Sequence, residues 1–168
     1  MPDSITGQIG EIVLARFEPN EDLYLGLIEV VKRRNIRTGV ILTITGALTE
    51  ASVGYFPRSG PIEETKMEIT HLKGPFEVSG HGMIGIEAGE PYVHVHLTMT
   101  CGEMTVCGHL HEGCLVRSLL PTSHFTVFIA KIEGAELHMI WDREARHAFP
   151  KLYPNGGPYH ELKEVRSS

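Results

Sequence analysis

The chain has 168 residues, 42% of them hydrophobic and 21% charged, with a formal net charge of −6 and a pI near 5.9. This is the balance of a globular chain of one domain, large enough to bury a core without disulfide staples. It excludes a membrane-spanning helix, because no apolar run approaches roughly 18–20 residues, and it opposes nucleic-acid binding through bulk electrostatics, which needs a basic face. The opening MPDSITGQIG lacks the basic and apolar stretches of a secretory signal. Cys101, Cys107 and Cys114 are odd in number and have no CxxC spacing, as expected of reduced thiols in a cytoplasmic protein.

In chain order, residues 9–17 (IGEIVLARF) read as a strand, broken by Glu18-Pro19-Asn20 with Asn20 as the expected N-cap. Leu23, Leu27, Val30 and Val31 repeat at helical spacing, so residues 21–34 form an amphipathic helix that Asn35 ends. Lys32, Arg33, Arg34 and Arg37 are the one basic cluster, and a solvated helix end opposing the helix dipole accounts for them. GVILTITGAL and ASVGYF read as two strands meeting at a Thr49-Glu50 corner, and Pro57 to Pro61 as a loop. Residues 65–72, 76–87 and 91–101 continue as strands, punctuated by Gly74-Pro75 and Ala88-Gly89-Glu90. After Gly113 the sheet resumes through CLVRSLL, HFTVFIAKI and AELHMIW. Short turns between consecutive strands favour an antiparallel sheet, with one face of the helix packed on it. The domain is expected over residues 1–141. Residues 142–168, rich in Pro, Gly and charge, are expected to wrap the surface or be partly disordered.

The stretch from Tyr92 to Thr100 alternates. Val93, Val95, Leu97 and Met99 are apolar, while Tyr92, His94, His96, Thr98 and Thr100 are polar or amphipathic, which is strand periodicity. Gly102-Glu103 suits a two-residue turn that sets Cys101 opposite Met104 and, counting back, His96 opposite His109. Opposed residues have Cβ atoms roughly 4.5–5.5 Å apart, so His94, His96 and His109 converge from one face of one hairpin. Three imidazoles with an open fourth position form a catalytic type of zinc site; a fourth protein ligand makes it structural. The bland alternative is chance proximity among ten histidines. His111 continues the alternation as a lining candidate, facing His94. Cys107 is either a thiolate ligand or a buried inert thiol.

The run GEIVLARFEPNEDLYLGLIEVVKRRNIRTGVILTITGALTEASVGYF, then LKGPFEVSGHGMIG and PYVHVHLTMTCGEMTVCGHLHEGCLV, resembles the plants-and-prokaryotes conserved (PPC, or DUF296) domain over roughly residues 8–140. The resemblance implies an α+β fold, with one main helix on an antiparallel, partly closed sheet, and an assembly of three identical subunits. Several prokaryotic members are called DNA-binding by analogy with plant relatives, whose DNA contact comes from a separate AT-hook; this chain has no such Arg-Gly-Arg-Pro segment. A more distant likeness is to α-acetolactate decarboxylase, which holds zinc through His-x-His and a later third His. The hairpin between His96 and His109 is longer but keeps the parity. This chain departs from the family in having Cys107 before Gly108-His109, where Gly is usual, and His124 where many relatives carry Glu. His124 is a candidate fourth ligand or a surface residue at a strand start.

Two further groups suit an active site. Arg117 could orient a carboxylate, and Glu50 could act as general acid or base; the alternatives are an ordinary ion pair and a solvated turn residue. Tyr92 shares the histidine face. His71, His81, His138, His147 and His160 show no convergent partner. The expectation is a cytoplasmic homotrimer binding zinc or another divalent metal, without specific DNA binding by this chain alone. One class of function is a metal-dependent lyase or hydrolase on a small keto- or hydroxy-acid; the other is a DNA-associated regulatory protein.

Overall fold

The computed structural model describes residues 3–56, 66–117, 124–144 and 147–157. Its elements are β1 (Gln8–Arg16), α1 (Leu23–Arg33), β2 (Gly39–Tyr55), β3 (Glu68–Glu87), β4 (Glu90–Cys101), β5 (Met104–Leu110), β6 (Leu115–Val116), β7 (Thr126–Glu133), β8 (Ala135–Asp142) and β9 (His147–Pro154). The strands form one sheet in the order β1-β7-β2-β5-β4-β3-β8-β9, with β6 on β2. Because β2 also pairs with β3, strands β2, β5, β4 and β3 close into a ring, from which the other strands extend. All pairings are antiparallel except two rungs between β3 and β8. Among the described residues the fold is mostly β with a single short helix, and no helix there is long and apolar enough to cross a membrane.

The expected corner at Thr49-Glu50 is a bulge inside one continuous strand. Leu48 pairs with Phe76 and Glu50 with Lys73, so Thr49 faces both Gly74 and Pro75. Pro75 therefore sits where no ladder hydrogen bond is required, and β3 runs on through a residue that would otherwise end it. The sequence after Asp142 also departs from expectation: His147–Pro154 pairs with β8 along its whole length. The expected loop at 57–61 and the tail beyond residue 157 lie outside the described residues.

Helix α1 buries Leu23, Leu27, Val30 and Val31, as their spacing predicts. Its N-cap is Asp22 rather than Asn20, which takes a left-handed conformation at φ 69. Asp22 Oδ1 accepts from Leu25 N at 3.0 Å, and Oδ2 accepts from Gly113 N at 2.6 Å, so one carboxylate caps the helix and holds the loop after β5. Asn35, at φ 50, ends the helix. The helix face meets Ile41, Ile44, Leu48, Phe76, Leu97, Met99 and Ile129 in one core.

Strand β8 is fastened by a polar cluster. Arg37 donates to both carboxylate oxygens of Glu136 at 2.8 and 3.1 Å, and His138 Nε2 lies 2.8 Å from the same carboxylate. Glu136 is 3% exposed. The Arg37 hydrogen bonds, aided by His138, outweigh burial and hold its carboxyl down to about 2. A depressed carboxylate stabilises the fold at neutral pH, and that contribution is lost as pH falls below the ordinary carboxylate range toward 2. Glu136→Gln is expected to lower the unfolding free energy at pH 7 by on the order of 3 kcal/mol. Urea titrations at several pH values check this: the gap between variant and wild type should narrow at pH 3, and a gap independent of pH contradicts the assignment.

Candidate metal centre

Strand β4 sends Val93, Val95, Leu97 and Met99 into the core, all less than a tenth exposed, and turns His94 and His96 to the other face. The Gly102-Glu103 turn, with Gly102 at φ 58, sets the register that the sequence predicts: Cys101 opposite Met104 and His96 opposite His109. Ligand-capable nitrogens of His94, His96 and His109 all lie within 4.8 Å of one another. His94 Nε2 and His96 Nε2 are 3.0 Å apart, and the His96 and His109 ring centroids 4.3 Å. Nitrogens bound to zinc at about 2.0–2.1 Å sit roughly 3.3 Å apart in a tetrahedron, so small ring rotations suffice.

The second nitrogens fix the rings. His109 Nδ1 is 3.1 Å from the Gly54 carbonyl, which can only accept, so that nitrogen carries the proton and Nε2 keeps its lone pair. His94 Nδ1 is 3.0 Å from the Tyr92 hydroxyl. Backing of this kind orients imidazoles that hold a metal. Burial, reinforced by the neighbouring imidazoles, lowers the pKa of His94 and of His96, which favours the neutral form a metal requires. The donor set and its orientation fit zinc or a similar divalent ion.

His109 is also where two ladders part. It is the last residue of β5 paired with β4, and it pairs at once with Gly54 of β2, as Leu110 does with Val53. Residues 91–95 of β4 pair with β3 only. A cavity of about 210 Å³ opens in this gap, lined by His94 and His109 together with Tyr24, Tyr92, Phe56, Met67, His111 and His147. An added Cβ at Gly54 would lie 2.5 Å from both His111 Nε2 and Met67 Sδ, so glycine leaves room for this wall.

Of the other expected residues, His111 alone joins the histidines at the cavity. His111 lines the cavity, but it lies just past the end of β5 instead of facing His94 in a ladder. Cys107 is exposed rather than buried, opposite Thr98 and outside the ligand group. His124 is exposed just before β7 and does not join the group. Arg117 donates its backbone N–H to Ala47 at 2.8 Å and does not line the cavity. Glu50 is exposed and lines a different cavity with His71, Lys73 and Glu112. Two residues escaped the sequence reading. His81 stands directly opposite His96 on β3, and counting back from an Ala88-Gly89 turn would have placed it there. No local signal places His147 at the cavity.

Fold and site together define a small β-rich domain presenting three converging imidazoles beside a cavity. The chain belongs to the Plants and Prokaryotes Conserved (PCC) domain family, whose sequence pattern matches residues 4–133. Similar folds occur in a metal-containing protein from Archaeoglobus fulgidus, with 19% identity, TM-score 0.74 and coverage of 88% of this chain and 98% of that one. They occur also in a plant- and prokaryote-conserved protein from Pyrococcus horikoshii, with 22% identity, TM-score 0.72 and coverage of 90% and 99%. A candidate DNA-binding protein from Bacteroides thetaiotaomicron shares 15% identity at TM-score 0.70, with coverage of 87% and 96%. No curated protein matches the chain.

Tyr92→Phe removes the partner of His94 Nδ1 without emptying the site. It is expected to weaken zinc binding by about tenfold and leave the circular dichroism unchanged. Competition against a chromophoric chelator measures the loss; equal affinities would mean that Tyr92 does not orient His94.

Proposed function

We propose that this protein is a cytoplasmic homotrimer of its family that binds one divalent ion per chain, zinc first, through His94, His96 and His109. The convergence of three ligand nitrogens, two of the rings backed through their second nitrogen, carries this reading. The metal-containing relative from Archaeoglobus fulgidus supports it. When bound, the ion supplies Lewis acidity and an acidified water at its open position. Tyr92 and Gly54 hold the rings, and the adjoining cavity favours a small ligand over a purely structural ion. A metal-dependent lyase or hydrolase on a small oxygen-bearing substrate, a keto- or hydroxy-acid among them, is the enzymatic form of this reading.

Two apolar surfaces support assembly. Ile12 and Leu14 of β1, Phe128 of β7 and Val40 of β2 are exposed and lie on adjoining rungs, and Leu42 is exposed at the register shift of β2 beside them. Tyr55, Phe56 and Ile69 form a second exposed group around Gly54, beside the histidines. Two different patches on one chain suit a head-to-tail contact that closes into a ring, and a trimer is such a ring. Metal analysis of purified protein should give close to one ion per chain, and light scattering roughly three times the 18.6 kDa of one chain. A His94→Ala/His96→Ala variant that takes up zinc like the wild type would remove the metal site; a monomer at micromolar concentration would remove the trimer.

The DNA-associated reading has the Bacteroides thetaiotaomicron relative in its favour and the net charge of −6 against it. At about 150 mM salt, titration with a randomised duplex pool is expected to show no sequence-selective retention. Nanomolar selective binding would promote that reading.

A further inference from the structure

The family match ends at residue 133, before β8 begins at Ala135. The hairpin of β8 and β9 therefore lies outside the matched segment, and it joins the rest of the sheet through a narrow base. That base comprises two parallel rungs, Ile86 with His138 and Glu87 with Met139, and a hydrogen bond from Leu137 N to Thr38 Oγ1 at 3.0 Å. The ion pair of Arg37 with Glu136 completes it. A charged cluster with a nearly inaccessible carboxylate fixes position and direction more sharply than apolar contact does, because its hydrogen bonds are directional.

The other end of the hairpin reaches the metal centre. His147 pairs with Asp142 at the turn, its ring meets Phe149 edge-on at 5.2 Å between centroids, and it lines the cavity that His94 and His109 also line. It is not one of the converging ligands. An imidazole so placed has a nitrogen to offer whatever occupies the cavity, while Tyr24, Phe56 and Met67 supply apolar wall.

We infer that His147 is a specificity residue: it hydrogen-bonds a small oxygen-donor ligand, such as a carboxylate or hydroxamate with an apolar body, held at the open metal position. This rests on the metal reading above. The test uses the full chain loaded with cobalt(II), whose visible absorption reports coordination, titrated with benzohydroxamate. His147→Ala is expected to take up cobalt as the wild type does and to bind benzohydroxamate about tenfold more weakly. His147→Gln, which retains a hydrogen-bonding side chain, should recover part of the loss, and circular dichroism confirms that both variants fold. Cobalt uptake with unchanged benzohydroxamate affinity overturns the inference alone. Loss of cobalt uptake in His147→Ala overturns it too, by making His147 a ligand. A wild-type chain that takes up no cobalt overturns the metal reading and this inference with it.

Discussion

The register of the hairpin between β4 and β5 is the constraint on which the site depends. Strand side chains alternate between faces, so a slip of one residue would carry His109 into the core and Leu110 into solvent. Two independent features forbid it. The Gly102-Glu103 turn fixes the pairing from one end, and the valines, Leu97 and Met99 fix the face from the other, since none of them is as stable in water. The histidines are thus placed by the hydrophobic demand of their neighbours.

The ring of strands adds the second element, an opening. A hairpin that stayed paired to its end would present three imidazoles on a flat surface. Instead β5 leaves β4 at His109 and takes up β2, and Gly54 serves as both rung and hydrogen-bond acceptor there. The histidine that β5 contributes is therefore held by the strand that walls the gap, which couples the orientation of one ring to closure of the sheet.

Much of this was legible because it is local. The helix face, the alternation of β4 and the register of its hairpin each follow from residues within about ten positions of one another. The features that escaped are set by partners distant in sequence. Pro75 looks like a strand end until Thr49 is known to lie across from it, and His147–Pro154 looks like a tail until β8 offers an edge. Asn20 and Asp22 are both good caps by residue type. Partners distant in sequence distinguish them, since the Gly113 N–H donates to Asp22 and the Leu23 N–H to the Cys114 carbonyl. Arg117 and Glu50 had plausible chemistry and no spacing to fix them, and neither lines the cavity.

That use of Asp22 bears on which amino acids the position tolerates. A helix start alone accepts serine, threonine, asparagine or aspartate almost interchangeably, because each offers one oxygen to the first turn. Here two N–H groups far apart in sequence, those of Leu25 and Gly113, claim separate oxygens of one side chain. An amide would answer the first and turn its own N–H₂ against the second, and a hydroxyl would reach only one. The position is thus chemically a two-acceptor socket, and exchanging oxygen for nitrogen there would leave the helix capped while removing one of the hydrogen bonds that hold the loop leading out of the histidine hairpin.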